Sequence, residues 1–268
     1  MLDLIPEIFQ YGFMQRAFIA GTVIAIVSPL VGVFLIMKRY AMMPDTLAHV
    51  SFAGVALGLL FAWNPILTAL TVAVLSTISI EALRKRTGIF SEAALAIFLS
   101  GSLAIATIAL SLGQNLDTTA LGFLFGSIST ITTTDVWVIL ILGVVTVVSI
   151  VALYKELFLI SFDEDLASAS GLPTKRLTFV LLFLTATVIA LAMKIVGILL
   201  LGALIVIPVI ASMQAKLNFK MTILLSIVLS LISVYGGILL SYFLDIPSGG
   251  AIVLILLAVF LSSLLIKK

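Results

Sequence analysis

The chain has no cysteine, a single histidine (His49), and charged side chains at only 10% of its 268 positions. Each scarcity excludes something. Without cysteine there are no disulfides and no thiolate ligands, so any metal held here is held by oxygen or imidazole. A soluble domain carries about 25% charged residues to keep its surface wet. A chain that is 63% hydrophobic cannot cover itself with polar side chains, so its solvent is lipid. A formal net charge of +2 is too small to point to nucleic acid. No Gly-x-x-x-x-Gly-Lys-[Ser/Thr] loop occurs, so ATP hydrolysis is not expected of this chain by itself. Asp3 and Glu7 precede the first apolar run with no basic residue. That is unlike a cleavable signal, and the first span itself is expected to direct insertion.

What is abundant is long apolar sequence. About 20 apolar residues cross a bilayer as a helix. Candidate spans are Gly12–Met37, Tyr40–Ala62, Pro65–Leu83, Ser91–Leu112, Thr134–Tyr154, Leu177–Met193, Val196–Met213, Phe219–Phe243 and Gly249–Ile266. Leu116–Thr130 is apolar but too short, and reads as a re-entrant half-helix tucked into the protein. The expected fold is therefore all-α, a polytopic membrane protein of about nine transmembrane helices. With no repeat and no linker in view, residues 1–268 read as one membrane-spanning domain. If Lys267 and Lys268 lie in the cytoplasm, Lys38, Arg39, Arg84, Lys85, Arg86, Lys155, Lys175, Arg176, Lys216 and Lys220 fall there too. Of the 14 basic residues only Arg16 and Lys194 fall outside. Positive residues favour the inner side, which predicts the N-terminus outside and the C-terminus inside.

Against this background the ionisable residues within spans stand out. Asp45 and His49 are four apart and share one helix face. Counted from Lys38-Arg39 at about 1.5 Å per residue, His49 lies roughly 15 Å into the bilayer, where an ionisable group usually faces a cavity or pathway. A carboxylate and an imidazole make half a site for a divalent cation. A two-fold dimer would supply two of each. Pro44 is expected to leave backbone carbonyls unpaired beside them. A structural alternative stays open, in which Asp45 caps a helix and His49 bonds a neighbour.

The stretch Ile160–Pro173 reads as a short helix in the one soluble-looking segment. Acids Asp163, Glu164 and Asp165 suit its N-terminus, and Gly171 and Pro173 stop it. Ala167, Ser168, Ala169 and Ser170 give it a slim face for a partner. Weaker signals are Asn115 and Asp117 (a solvated outer loop), Lys194 and Asp245 (interfacial) and Glu81 (an ion pair with Arg84 or Lys85). Pro29 and Pro208 are expected to kink their helices. Gly122 with Gly126, and Gly197 with Gly202, suggest close helix packing.

Several of these blocks resemble the permease subunits of bacterial zinc and manganese ABC importers, most closely the zinc-type members. The similarity runs along nearly the whole chain. It is carried by Phe13-Met14-Gln15-Arg16-Ala17-Phe18, Ser28-Pro29-Leu30-Val31-Gly32, Phe123-Leu124-Phe125-Gly126-Ser127-Ile128, Phe162-Asp163-Glu164-Asp165 and Gly171-Leu172-Pro173. Met43-Pro44-Asp45-Thr46-Leu47-Ala48-His49 is similar to the family's Ser-Asp-[Thr/Ala]-Leu-[Ser/Ala]-His block, with Pro44 in place of serine. The resemblance implies a homodimer working with a cytoplasmic ATP-binding subunit and an extracellular metal-binding protein. It implies Asp45 and His49 as the metal site on the translocation path, Zn²⁺ or Mn²⁺ as the transported ion, and no permanently bound cofactor. It also implies a cytoplasmic coupling helix over Phe162, Asp163, Glu164, Asp165, Leu166, Ala167, Ser168, Ala169, Ser170 and Gly171.

Two other classes compete. A secondary transporter or channel would show inverted repeats or denser intramembrane charge, and neither is present. An intramembrane hydrolase would want paired Asp or His-Glu-x-x-His, which the chain lacks; a pure scaffold would be excluded by ATPase-dependent metal uptake.

Overall fold

Lipid leaves no partner for an unpaired backbone N–H or C=O, so apolar runs of this length must fold as helices or closed barrels. The structure, a computed structural model, describes residues 10–87, 91–113 and 117–265, and the described elements are helical throughout. They are α1 (Gly12–Met37), α2 (Met43–Leu60), α3 (Pro65–Thr87), α4 (Ser91–Leu112) and α5 (Asp117–Phe125), then a 3₁₀ turn at Ile128–Thr130. Next come α6 (Thr133–Ala152), α7 (Tyr154–Phe162), α8 (Glu164–Ala169), α9 (Thr174–Ala192), a second 3₁₀ turn at Ile198–Leu200, α10 (Leu201–Met213), α11 (Phe219–Leu244) and α12 (Ser248–Leu265).

Among the described residues eight helices are long and apolar enough to cross a membrane: α1, α2, α3, α4, α6, α9, α11 and α12. The ninth expected span is shorter than the sequence suggests. Met193 to Val196 form a turn rather than helix and Gly197 follows outside it, which leaves only Ile198–Met213 for the crossing. The half-helix expected within Leu116–Thr130 is α5 with its 3₁₀ turn.

The helices form two layers. In α1, α2 and α9 two thirds or more of the apolar window is buried; in α3, α4, α6, α11 and α12 a third or less is. Exposed Ile, Leu and Val on the second set, such as Ile108, Val148 and Leu254, face outward as lipid requires. Helix α1 packs on α6, α10 and α11, α2 packs on α3 and α4, and α9 fills the space between α1, α2 and α3.

Contacts define two ends of the bundle. At one end the rings of Phe34, Tyr154, Phe158 and Phe219 tie α1, α7 and α11 together at 4.9–6.2 Å. At the other end Arg16 Nε donates to Ile131 O at 2.7 Å, and Lys194 Nζ meets both Asp135 carboxylate oxygens at 2.8 and 2.9 Å. The two basic residues that break the charge pattern thus both lie at this second end, each with a structural partner.

Three backbones cross at that second end. Gly126 and Gly197 both take positive φ (75° and 82°), and an added Cβ on either would overlap the other's strand of backbone. A Cβ on Gly249 would overlap Val196 O. Ser127 N–H donates to Lys194 O (2.9 Å) and Ser248 Oγ to Ile195 O (2.7 Å). These bonds satisfy the irregular backbone between α9 and α10, which is buried. The expected helix-packing role of these glycines is replaced by loop crossing, and Gly122 meets nothing within 4 Å.

Candidate functional site

Helix α1 stops with Arg39 at φ 61°. Arg39 N–H donates to Ile36 O (2.9 Å) and Tyr40 N–H to Leu35 O (2.8 Å), the paired bonds of a Schellman stop. Met43 N–H then bonds Tyr40 O at 3.0 Å and α2 begins. Pro44 sits in the first turn of α2, where its missing N–H is one of the donors a helix leaves free anyway. The unpaired carbonyls expected beside Pro44 are therefore not created, because Tyr40 O is already bonded.

Asp45 also lies in the first turn of α2, where the positive end of the helix dipole favours a carboxylate. It is not the cap: Met42 holds that position, with no side-chain cap bond. Instead Asp45 packs over Gly202 of α10. A Cβ added to Gly202 would lie 3.3 Å from both Cβ and Oδ1 of Asp45. Gly202 is about 16 Å along α10 from Met213, so the carboxylate lies deep in the bundle although its helix has only just begun.

His49 is one turn further along α2, on the same face. Both side chains are half-buried. His49 Nδ1 is buried with no hydrogen-bond partner. A buried ring nitrogen without a partner is costly, and it is the state in which an imidazole can accept a metal ion. Among the described residues no group of three or more His, Cys, Asp or Glu gathers to hold an ion. Asp45 and His49, the two ligands the sequence puts forward, share one face of α2 with no third such group beside them among the described residues.

The second candidate element is built as the sequence suggests, with two differences. Asp163 Oδ1 accepts from Leu166 N–H at 2.9 Å and caps α8. Gly171 N–H bonds Ser168 O and Leu172 N–H bonds Ala167 O, with Gly171 at φ 82°, so the helix ends in a Schellman stop. The first difference is that Phe162 closes α7 rather than opening α8. The second is that Ala167 is fully buried while Ser168, Ala169 and Ser170 are exposed, so the slim face is narrower than expected. Two large apolar side chains flank it, Phe162 at 69% exposure and Leu166 at 55%. Burial also pushes the Tyr154 phenol above its ordinary range at this end.

The remaining residues separate out. Lys194 pairs with Asp135 and Tyr40 OH reaches Glu81 Oε1 at 3.4 Å. Asn115 and the side chains of Asp117, Arg84 and Lys85 lie outside the described residues. Asp245, exposed and left-handed at φ 51°, borders a cleft of about 470 Å³ with Ser127, Ser129 and Ser248. Pro29 and Pro208 sit inside α1 and α10.

Residues 10–267 match the ABC 3 transport family. The chain is 30% identical to the manganese transport system membrane protein MntC of Listeria monocytogenes, covering 94% of this chain and 90% of that one. It is 28% identical to the high-affinity zinc uptake system membrane protein ZnuB of Haemophilus influenzae, covering 95% and 98%. Among solved structures, PsaBC from Streptococcus pneumoniae in complex with Fab aligns with a TM-score of 0.89 at 28% identity, covering 98% of this chain and 94% of that chain.

Proposed function

The chain belongs to the ABC 3 transport family, and from that premise we propose that it is the membrane-spanning permease subunit of an ATP-driven divalent-metal importer. Zn²⁺ is the first assignment and Mn²⁺ the alternative. Imidazole suits zinc and a carboxylate suits manganese, and relatives named for each metal align along nearly the whole chain.

The observation that carries this reading is the pair on α2: Asp45 against Gly202, with His49 Nδ1 buried and unpartnered on the same face. Two ligands from one chain hold an ion weakly, as a transport site requires. A second copy in a homodimer supplies the same pair and completes four ligands. The ion is handed over by an extracellular metal-binding protein at the end marked by Arg16, Lys194 and Asp245. At the opposite, cytoplasmic end the segment Phe162–Gly171 docks on an ATP-binding subunit through Phe162 and Leu166. With that end inside, the N-terminus lies outside and the C-terminus in the cytoplasm.

Uptake of radioactive zinc and manganese tests the reading, in cells making the chain with its ATP-binding partner. Wild type, Asp45→Ala and His49→Ala are compared at equal membrane abundance. Loss of uptake in both variants is expected, with manganese competing poorly if zinc is the cargo. Normal uptake by both variants would make Asp45 and His49 structural and send the search for the path elsewhere.

A further inference from the structure

Lys38 is the charged residue that the described core buries. Its side chain is 4% exposed, and Nζ lies 2.6 Å from Glu164 Oε2, which is itself 51% exposed. Nζ also donates to Ile160 O at 3.4 Å and sits 5.5 Å over the Tyr40 ring. The acid that neutralises this buried ammonium therefore comes from the first residue of α8. A buried charge that loses its partner is strongly penalised, so α8 and Lys38 are bound to move together.

Lys38 caps the C-terminus of α1, and the chain from there into α2 has little slack. Arg39, Tyr40 and Met43 are each fixed by a backbone bond of 2.8–3.0 Å. Thr46 N–H and Oγ1 both bond Met42 O at 3.1 Å. This run of turns ends at Asp45, seated on Gly202.

We infer that Lys38 is a positioning residue: its ion pair with Glu164 is the strut through which movement of α8 reaches the first turn of α2 and the Asp45 carboxylate. The inference rests on the metal-site and coupling reading above and adds a path between its two ends. Helix α8 has a partner-facing side, with Leu166 exposed, and an inward side, where Glu164 holds Lys38. Removing the strut leaves both ends in place and disconnects them. A bond that served folding alone would instead reduce the amount of assembled complex and leave its stoichiometry of work unchanged.

The test uses the complete complex, with ATP-binding subunit and metal-binding protein, reconstituted in vesicles. The readout is ATP hydrolysed per metal ion delivered. Glu164→Gln removes the acid but keeps an amide oxygen that can accept from Nζ; Lys38→Met removes the buried charge itself and keeps its stem, so it carries the test if Glu164→Gln folds poorly. Each is expected to raise ATP consumed per ion by about fivefold or more, the lower range of a coupling free energy between sites. The exchange Lys38→Glu with Glu164→Lys is expected to bring the ratio back toward wild type. An unchanged ratio in Glu164→Gln overturns the inference. Hydrolysis and uptake falling in step overturns it too, because the pair would then only support docking. Asp45→Ala is run alongside. If it transports normally the metal-site reading fails, whatever the ratio in the strut variants.

Discussion

Replacing Gly197 by alanine tests whether the crossing of backbones between α9 and α10 is as rigid as its geometry implies. Gly197 has φ 82° and ψ 149°, a region adopted essentially by glycine alone, where an L side chain costs about 1–3 kcal/mol. The new Cβ would overlap Leu124 O, Phe125 C and Gly126 N. All three are backbone atoms, so no flexible side chain can swing aside and the segments must separate. Overpacking of that kind costs about 1–3 kcal/mol. Together the two effects come to about 2–6 kcal/mol, a large share of the roughly 5–15 kcal/mol that holds a folded domain. The assay is thermal unfolding of the purified chain in detergent, followed by size-exclusion chromatography, with metal uptake measured in parallel. Gly122→Ala is the matched control. It makes the same chemical change inside α5, meets nothing within 4 Å, and is expected to be neutral or stabilising by about 0.4–1 kcal/mol. A markedly lower melting temperature and lost uptake are expected for Gly197→Ala only. Equal melting temperatures and equal uptake in the two variants would refute the reasoning.

Other predictions address separate parts of the molecule. Lys194→Met leaves the Asp135 carboxylate facing only Thr132, and should destabilise by about 1–3 kcal/mol. Adding Asp135→Asn should recover part of that, which a double-mutant cycle in melting temperature would read. Asp163→Ala removes the cap bond to Leu166 N–H, at a cost of about 1 kcal/mol. Amide exchange over Glu164–Ala169 should quicken while α6 is unaffected; equal exchange in both helices would count against the cap. Phe162→Ser combined with Leu166→Ser should leave membrane abundance unchanged and reduce co-purification of the ATP-binding subunit. Undiminished co-purification would place docking elsewhere.

Lipid exposure is what makes the helices legible. Runs such as Gly12–Met37 and Ser91–Leu112 coincide with α1 and α4 because nothing but a helix satisfies their backbone in hydrocarbon. The stop of α8 at Gly171 is legible because positive φ has a residue signature. Arg39 has none, and its left-handed φ starts α2 three residues later than hydropathy alone suggests. The crossing at Gly126, Gly197 and Gly249 is only half visible. Glycine spacing signals that two backbones come close, but whether helices or loops meet depends on residues far apart in sequence. In the sequence Lys38 is a marker of membrane sidedness, and nothing local to it announces Glu164, 126 residues on. Arg16 and Lys194 look like exceptions for the same reason: their partners are far away in sequence, Ile131 O just before α6 and Asp135 in its first turn.

The segment between Lys194 and Gly202 serves both the crossing and the candidate metal site, and one substitution separates the two. Alanine at Gly202 brings a Cβ to 3.3 Å from Asp45 Cβ and Oδ1, tight enough to require a shift of a few tenths of an ångström. No backbone atom blocks that shift closely; the nearest, Asp45 Cα, stands 3.5 Å away. The fold should therefore tolerate the change, because about 1 kcal/mol of overpacking is offset by the roughly 1 kcal/mol that alanine gains over glycine inside a helix, unlike Gly197→Ala. The carboxylate is what gives way. Metal coordination holds ligand distances to within about 0.2 Å, and disturbing the support of a ligand typically costs about tenfold in affinity or activity. Gly202→Ala should thus keep a wild-type melting temperature and show about a tenfold higher KM for metal uptake. A normal KM at normal stability would mean that the position of Asp45 does not matter to the transported ion, and with it the reading of α2 as the ion's binding helix would fall.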